Sequence, residues 1–122
     1  MNWEFKADRP IYTQLVEQIK LRIISSIYKP GDKLPSVRDF AAEASVNPNT
    51  MQRALAELEK DGLVYSQRTS GRFITEDQDM IKKVKDDLAL EEITAFLRKM
   101  KMLGFNKEET ISFMKNIVKE MK

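Results

Sequence analysis

The stretch LPSVRDFAAEASVNPNTMQRALAELEKDGL, residues 34–63, decides how the chain folds. Ser36 stands where a helix N-cap belongs, with Asp39 three residues on as the acidic partner of a capping arrangement. Val37, Phe40, Ala41 and Ala44 then fall on one helical face, which predicts a short helix ending near Ser45. Ser45 to Pro48 is a tight connection. Either Asn47 or Asn49 can cap the next helix, whose buried stripe is Met51, Ala54, Leu55 and Leu58 and whose end is marked by Asp61-Gly62. Two short helices joined this tightly form a helix-turn-helix pattern.

Upstream, Pro10 opens a helix at no hydrogen-bond cost, and Ile11, Leu15, Ile19, Ile23 and Ile27 recur every four residues until Tyr28-Lys29-Pro30-Gly31-Asp32 breaks the pattern. Downstream, Leu63-Val64-Tyr65 and Phe73-Ile74-Thr75 are β-favouring runs around the polar stretch Ser66 to Arg72, a hairpin with a basic tip. Three helices followed by such a hairpin make a winged helix-turn-helix spanning residues 8 to 75. Thr75 to Asp79 is a polar hinge, so the domain boundary is expected near residue 76, dividing the chain into 1–75 and 76–122. Beyond it Met80, Ile81, Val84, Leu88, Ile93, Phe96, Leu97, Met100 and Leu103 follow helical spacing to Gly104. Asn106 caps a last helix with Glu108 and Glu109 in its first turn and Ile111, Met114, Ile117, Val118 and Met121 along one side. The fold class is therefore mainly α with a small β-hairpin, the winged domain being followed by a two-helix hairpin. Two helices of this length cannot enclose a core, so their stripes need a partner surface. Homodimerisation through Ile81, Val84, Leu88, Ile93, Phe96, Leu97, Met100, Ile111, Met114, Ile117 and Val118 is the economical answer. Trp3 and Phe5 precede the first helix and either fold back onto the core or pack across the dimer.

Length and composition narrow the chemistry. At 122 residues, 42% hydrophobic and 33% charged, the chain reads as a soluble globular domain, not a multidomain enzyme or a disordered tail. Cysteine and histidine are both absent, which excludes thiolate nucleophiles, imidazole bases, disulfides and zinc sites built from those ligands. No cofactor and no metal are expected. The start of the chain has no apolar run and no long apolar segment occurs, so a cytoplasmic location with no membrane contact is expected. Carboxylate pairs such as Glu91-Glu92 and Asp86-Asp87 point to different helix sides, which argues against an active site.

The net charge of +2 announces nothing, but its distribution does. Residues 1–75 hold 11 Lys and Arg against 9 Asp and Glu, and residues 76–122 hold 10 of each. Within the first part no acid occurs between Glu43 and Glu57, and none between Asp61 and Glu76. An ordinary surface helix mixes Glu with Lys, whereas a helix facing phosphates must avoid carboxylates. A helix-turn-helix places its second helix in the major groove, so Asn47, Asn49, Thr50, Gln52 and Arg53 become the candidate contacts. Amides read adenine edges, arginine reads guanine or grips a phosphate, and a hydroxyl suits a phosphate oxygen. Arg38 lies near the entry of that helix, and Arg68, Thr69, Ser70, Gly71 and Arg72 form a wing tip able to enter the minor groove. Lys33 reads as a turn lysine.

These residues resemble the GntR family of bacterial transcriptional regulators, and in particular its short YtrA-type branch. The carriers are Pro10-Ile11-Tyr12 with Gln14-Leu15, Gly31 to Arg38, Val46 to Thr50, Arg53-Ala54-Leu55, Leu58 to Leu63, and Gly71 to Ile74. The resemblance implies DNA contacts at Arg38, Asn49, Thr50, Gln52 and Arg53 and a minor-groove contact around Gly71. The family's wing often reads glycine, basic residue, glycine, threonine, whereas this chain has Thr69-Ser70-Gly71-Arg72. Larger relatives carry an effector-binding C-terminal domain; a tail of 47 residues resembles the branch with two extra helices implicated in dimer formation, and a small-molecule effector stays open and unidentified. That branch commonly represses neighbouring genes for membrane export transporters. The expected function is thus a sequence-specific DNA-binding regulator, a repressor holding an inverted-repeat double-stranded operator as a homodimer. The alternative is a winged-helix protein-interaction module without specific DNA binding.

Overall fold

The computed structural model describes residues 2–122, and their contacts divide the chain after Val84 into two compact units. In the first unit α1 (Ile11–Ile24), α2 (Val37–Ala44) and α3 (Pro48–Lys60) precede β1 (Val64–Gln67) and β2 (Gly71–Ile74). The helices form where expected because one face of each is apolar. Leu15, Ile19 and Ile23 of α1, Phe40, Ala41 and Ala44 of α2, and Met51, Ala54, Leu55 and Leu58 of α3 are all buried in one core, joined by Leu34, Leu63, Val64 and Ile74. Ser36 caps α2 by accepting from the Asp39 amide at 3.1 Å. Of the two candidate caps for α3, Asn47 is the one used: its Oδ1 accepts from the Asn49 amide at 2.8 Å, with Pro48 as the first helical residue.

Two boundaries differ from the sequence reading. Helix α1 ends at Ile24, because Ser26 takes a left-handed φ of 64° and the amides of Ile27 and Tyr28 turn back to the Arg22 carbonyl. Ile27 thereby leaves the apolar stripe and is exposed, while Tyr28 packs edge-on against Phe40. The β-hairpin also reaches further into its polar stretch, pairing Ser66 with Arg72 and Gln67 with Gly71 and leaving only Arg68, Thr69 and Ser70 in the turn. The segment before α2 lies along the free edge of β2: Lys33 bridges to Phe73, and the Leu34 amide donates to the Arg72 carbonyl at 2.9 Å.

The N-terminal segment folds back onto this core. Gln14 is buried and holds it at both polarities, accepting from the Lys6 amide and donating to the carbonyls of Lys6 and Arg9. Trp3 meets Phe40 edge to face at 5.7 Å and stacks near Phe5, and the Arg22 guanidinium lies 3.6 Å above the Trp3 ring. A Tyr28 hydroxyl also accepts from Arg22; burial is the main reason its pKa is raised above the ordinary 10.0, against the lowering effect of that guanidinium.

Helix α4 (Gln78–Met102) begins within the first unit, where Met80, Ile81 and Val84 are partly buried against the core. Ile81 and Val84, expected among the dimer contacts, thus have part of their apolar surface covered by the core of the first unit. In the second unit, Lys85–Lys122, the rest of α4 leads through Gly104 to α5 (Lys107–Glu120). Asn106 and Glu109 form a reciprocal capping box at the start of α5, and Phe105 packs edge-on to Phe113.

The completely buried Leu55 sits where α3 meets the rest of the core. Leu55→Ala is expected to destabilise the fold by about 2–5 kcal/mol, read from urea midpoints followed through the fluorescence of Trp3. A loss below about 0.5 kcal/mol, the ordinary range of a surface substitution, would contradict the packing described.

Candidate nucleic-acid interface

Four buried positions on one side of α3 fix which side faces out. Asn49, Gln52 and Arg53 are exposed and Thr50 is half-buried on the same helix, and no Asp or Glu stands between Glu43 and Glu57. Asn47 is exposed with one side-chain oxygen engaged as the α3 cap, which leaves its amide protons outward. Arg38, in the first turn of α2, is exposed and makes no ion pair among the described residues, with neither Asp39 beside it nor Glu43 further along the helix engaging it.

The wing divides its expected residues into two groups. Arg68, Thr69 and Ser70 are exposed in the turn, and Ser70 closes it by donating its amide to the Gln67 carbonyl at 3.1 Å. Gly71 follows at φ 109°, a left-handed conformation that disfavours any side chain, and a Cβ there would also meet Lys33 Cε at 3.2 Å. Arg72 stands lower, half-buried, and donates through Nε to Glu59 Oε1 at 2.8 Å, while the Ser66 hydroxyl donates to the same oxygen. The basic tip therefore rests on Arg68, and Arg72 ties the hairpin to α3. The Ser66 hydrogen bond, and with it the Arg72 pair, holds the Glu59 carboxyl below its ordinary 4.5, against the opposing effect of partial burial.

Between the start of α2 and the wing lies an open cleft of about 800 Å³, bounded by Lys33 to Val37, Asp39 and Thr69 to Arg72. Lys33 is exposed here and has no ion pair among the described residues, so it is a cation on the same side as the wing tip and not merely part of a turn. The sequence concealed this because the edge pairing with Phe73 joins positions forty residues apart. Asp39 is the one carboxylate lining the cleft, so acid-free windows in the chain do not make this surface wholly acid-free. Sequence reading also missed Tyr12, whose ring lies 3.6 Å beneath the Arg53 guanidinium.

This arrangement of helices and wing has known counterparts, and the sequence profile described as "Bacterial regulatory proteins, gntR family" matches residues 11–74. The chain belongs to the GntR family. It is 42% identical over 115 residues to the uncharacterized HTH-type transcriptional regulator YhcF of Bacillus subtilis, across 94% of this chain and 95% of that protein. A 44% identity over 71 residues links it to the HTH-type transcriptional repressor YtrA of the same organism, covering 58% of this chain and 55% of the repressor. Among solved structures, a GntR regulator from Listeria monocytogenes superposes with a TM-score of 0.86 at 41% identity, over 92% of this chain and 98% of that one. The AraR DNA-binding domain in complex with operator ORX1 superposes with a TM-score of 0.55 at 26% identity, over 62% of this chain and 99% of that one. As a GntR protein the chain is a DNA-binding transcriptional regulator, and its full-length match to YhcF is consistent with the short branch. No helix among the described residues is long and apolar enough to cross a membrane.

Because the folded pKa of Glu59 is lowered, its stabilising contribution is present above the ordinary value of 4.5 and is lost as pH falls through the lowered one. Glu59→Gln should therefore cost stability at neutral pH, by under about 1 kcal/mol for a pair this close to solvent, and that difference should shrink as urea midpoints are taken below pH 4.5. Parallel profiles for the two proteins would rule out the proposed tie between α3 and the wing.

Proposed function

We propose that the chain is a repressor that holds an inverted-repeat operator as a homodimer and blocks the promoter beneath it. Each subunit places α3 in the major groove, where Asn49, Gln52 and Arg53 meet base edges and Asn47 and Thr50 meet the backbone. Arg38 grips the entry of that helix, and Arg68, with Ser70 and Gly71, brings the wing to the neighbouring minor groove; Arg72 contributes from its base. The observation that carries this reading is the outward side of the first turns of α3, opposite its buried stripe, which bears no carboxylate before Glu57. Relatives support it: one named repressor and one DNA-binding domain bound to an operator.

The two-fold reading rests on the second unit. Ile93, Phe96, Leu97, Ile111, Ile117 and Val118 are between 40% and 65% exposed, an apolar surface too continuous to be left in water. Leu88, Met100 and Met114 are half-buried along the same helices. A symmetric pair of these units would set two α3 helices about one duplex turn apart, roughly 34 Å. The cytoplasm is where such a protein meets its operator. Neither a cofactor nor a catalytic step forms part of the proposal, and no effector is assigned.

Arg38→Ala and Arg53→Ala should each weaken binding of a duplex selected from a random pool by about 1–3 kcal/mol where a base is read bidentately. Affinity of the unaltered protein should fall steeply with salt as phosphate-bound counterions are released. Unchanged affinity in both variants, or no shifted duplex at all as an assembly module predicts, would refute the DNA assignment. Replacing Phe96 and Leu97 together by Glu should convert a sedimenting dimer to monomer; a chain that sediments as monomer before substitution removes the two-fold reading.

A further inference from the structure

The Arg53 guanidinium, alone among the proposed groove-facing side chains, rests on an aromatic face. Its Cζ lies 3.6 Å from the centroid of the Tyr12 ring, a van der Waals contact with the face of the ring. Tyr12 is in the first turn of α1, half-buried, and α1 packs directly on α3. Arg53 itself is exposed, so nothing else among the described contacts would confine its long side chain. Glu57, one turn further along α3, is at the spacing of an intrahelical ion pair, yet Arg53 does not make that pair.

We infer that Tyr12 is a positioning residue for Arg53: its ring holds the guanidinium in one pose, away from Glu57, with the N–H edge free to meet a base or a phosphate. The inference rests on the DNA-binding reading above. A face-on cation–π contact leaves the in-plane N–H donors of arginine unoccupied, and those donors are what a guanine edge or a phosphate accepts. Fixing the side chain before binding removes part of the rotamer entropy that an exposed arginine otherwise loses on contact. A hydroxyl on Tyr12 is not required for this, so phenylalanine should serve equally well.

The test is a double-mutant cycle on the full chain, using the tightest duplex that the unaltered protein selects from a random pool. Tyr12→Leu is expected to weaken binding by about two- to fivefold, the size of an exposed cation–π contact, while Tyr12→Phe leaves binding unchanged. In an Arg53→Ala background the same Tyr12→Leu change should have no further effect. In the free protein, the Arg53 side-chain protons should be shifted upfield in the NMR spectrum by the ring, and that shift should survive Tyr12→Phe and vanish in Tyr12→Leu. Tyr12→Met provides the same comparison should Tyr12→Leu fail to fold. Equal losses with and without Arg53 would mean that Tyr12 acts only through α1, and a loss in Tyr12→Phe would mean that its hydroxyl binds DNA itself; either overturns the inference. If the unaltered protein binds DNA and Arg53→Ala costs nothing, the inference fails while the interface stands; if no duplex is bound, the DNA reading fails with it.

Discussion

The burial of Met51, Ala54, Leu55 and Leu58 along one side of α3 is the constraint on which the remainder depends. Successive residues of a helix turn by about 100°, so four buried positions leave no freedom of rotation about the helix axis. Removing a large apolar side chain from water contributes about 1.5–3 kcal/mol, more than a polar surface contact normally returns. The inner face thus fixes the direction of the outer one, and Asn49, Gln52 and Arg53 are carried outward as a consequence. Glu59, one position beyond Leu58, then passes that orientation to the wing through Ser66 and Arg72.

The charge pattern follows the same economy. A net charge of +2 is too small to draw a polyanion by itself, so the sign of each local group matters more than the sum. Glu59 is placed beside the hairpin, but its charge is paired with Arg72 inside the subunit. That pairing has two consequences: it anchors the wing, and it removes an acid from the surface at the cost of one arginine. Arg38, Arg68 and Lys33 retain their charges outward, with Asp39 as the counterweight in the cleft.

Helices α2 and α3 were legible because each buries one side, and one-sided burial writes itself into sequence as spacings of three and four. The same signal misleads where periodicity outlasts the backbone: Ile27 continues the α1 rhythm, but Ser26 has already turned the chain. It is also silent about partners, since Ile81 and Val84 need cover and the spacing cannot say whether their own domain or another copy provides it. Strand ends were read short because Ser66 and Gln67 pair through backbone groups that every residue carries. Tyr12 beneath Arg53, Glu59 beside Arg72 and Lys33 against β2 join segments distant in sequence, and nothing in any one segment announces the other.

The two units differ in how completely they satisfy themselves. Among the described residues of the first, Leu21, Ile27 and Tyr65 are the large apolar residues left exposed; in the second there are eleven, from Leu90 to Met121. Backbone incompleteness is not the reason, because the Asn106 and Glu109 capping box closes the start of α5 within the unit. What the second unit lacks is a surface to cover its side chains, and helices in proteins draw most of their stability from such cover rather than from propensity. An element whose apolar face is exposed in the single subunit gains stability only on meeting another surface, which supports a second copy as its complement. On that reading operator recognition and folding of the tail are linked: the contact that completes the α4 and α5 stripes is the one that would bring two α3 helices to a single duplex.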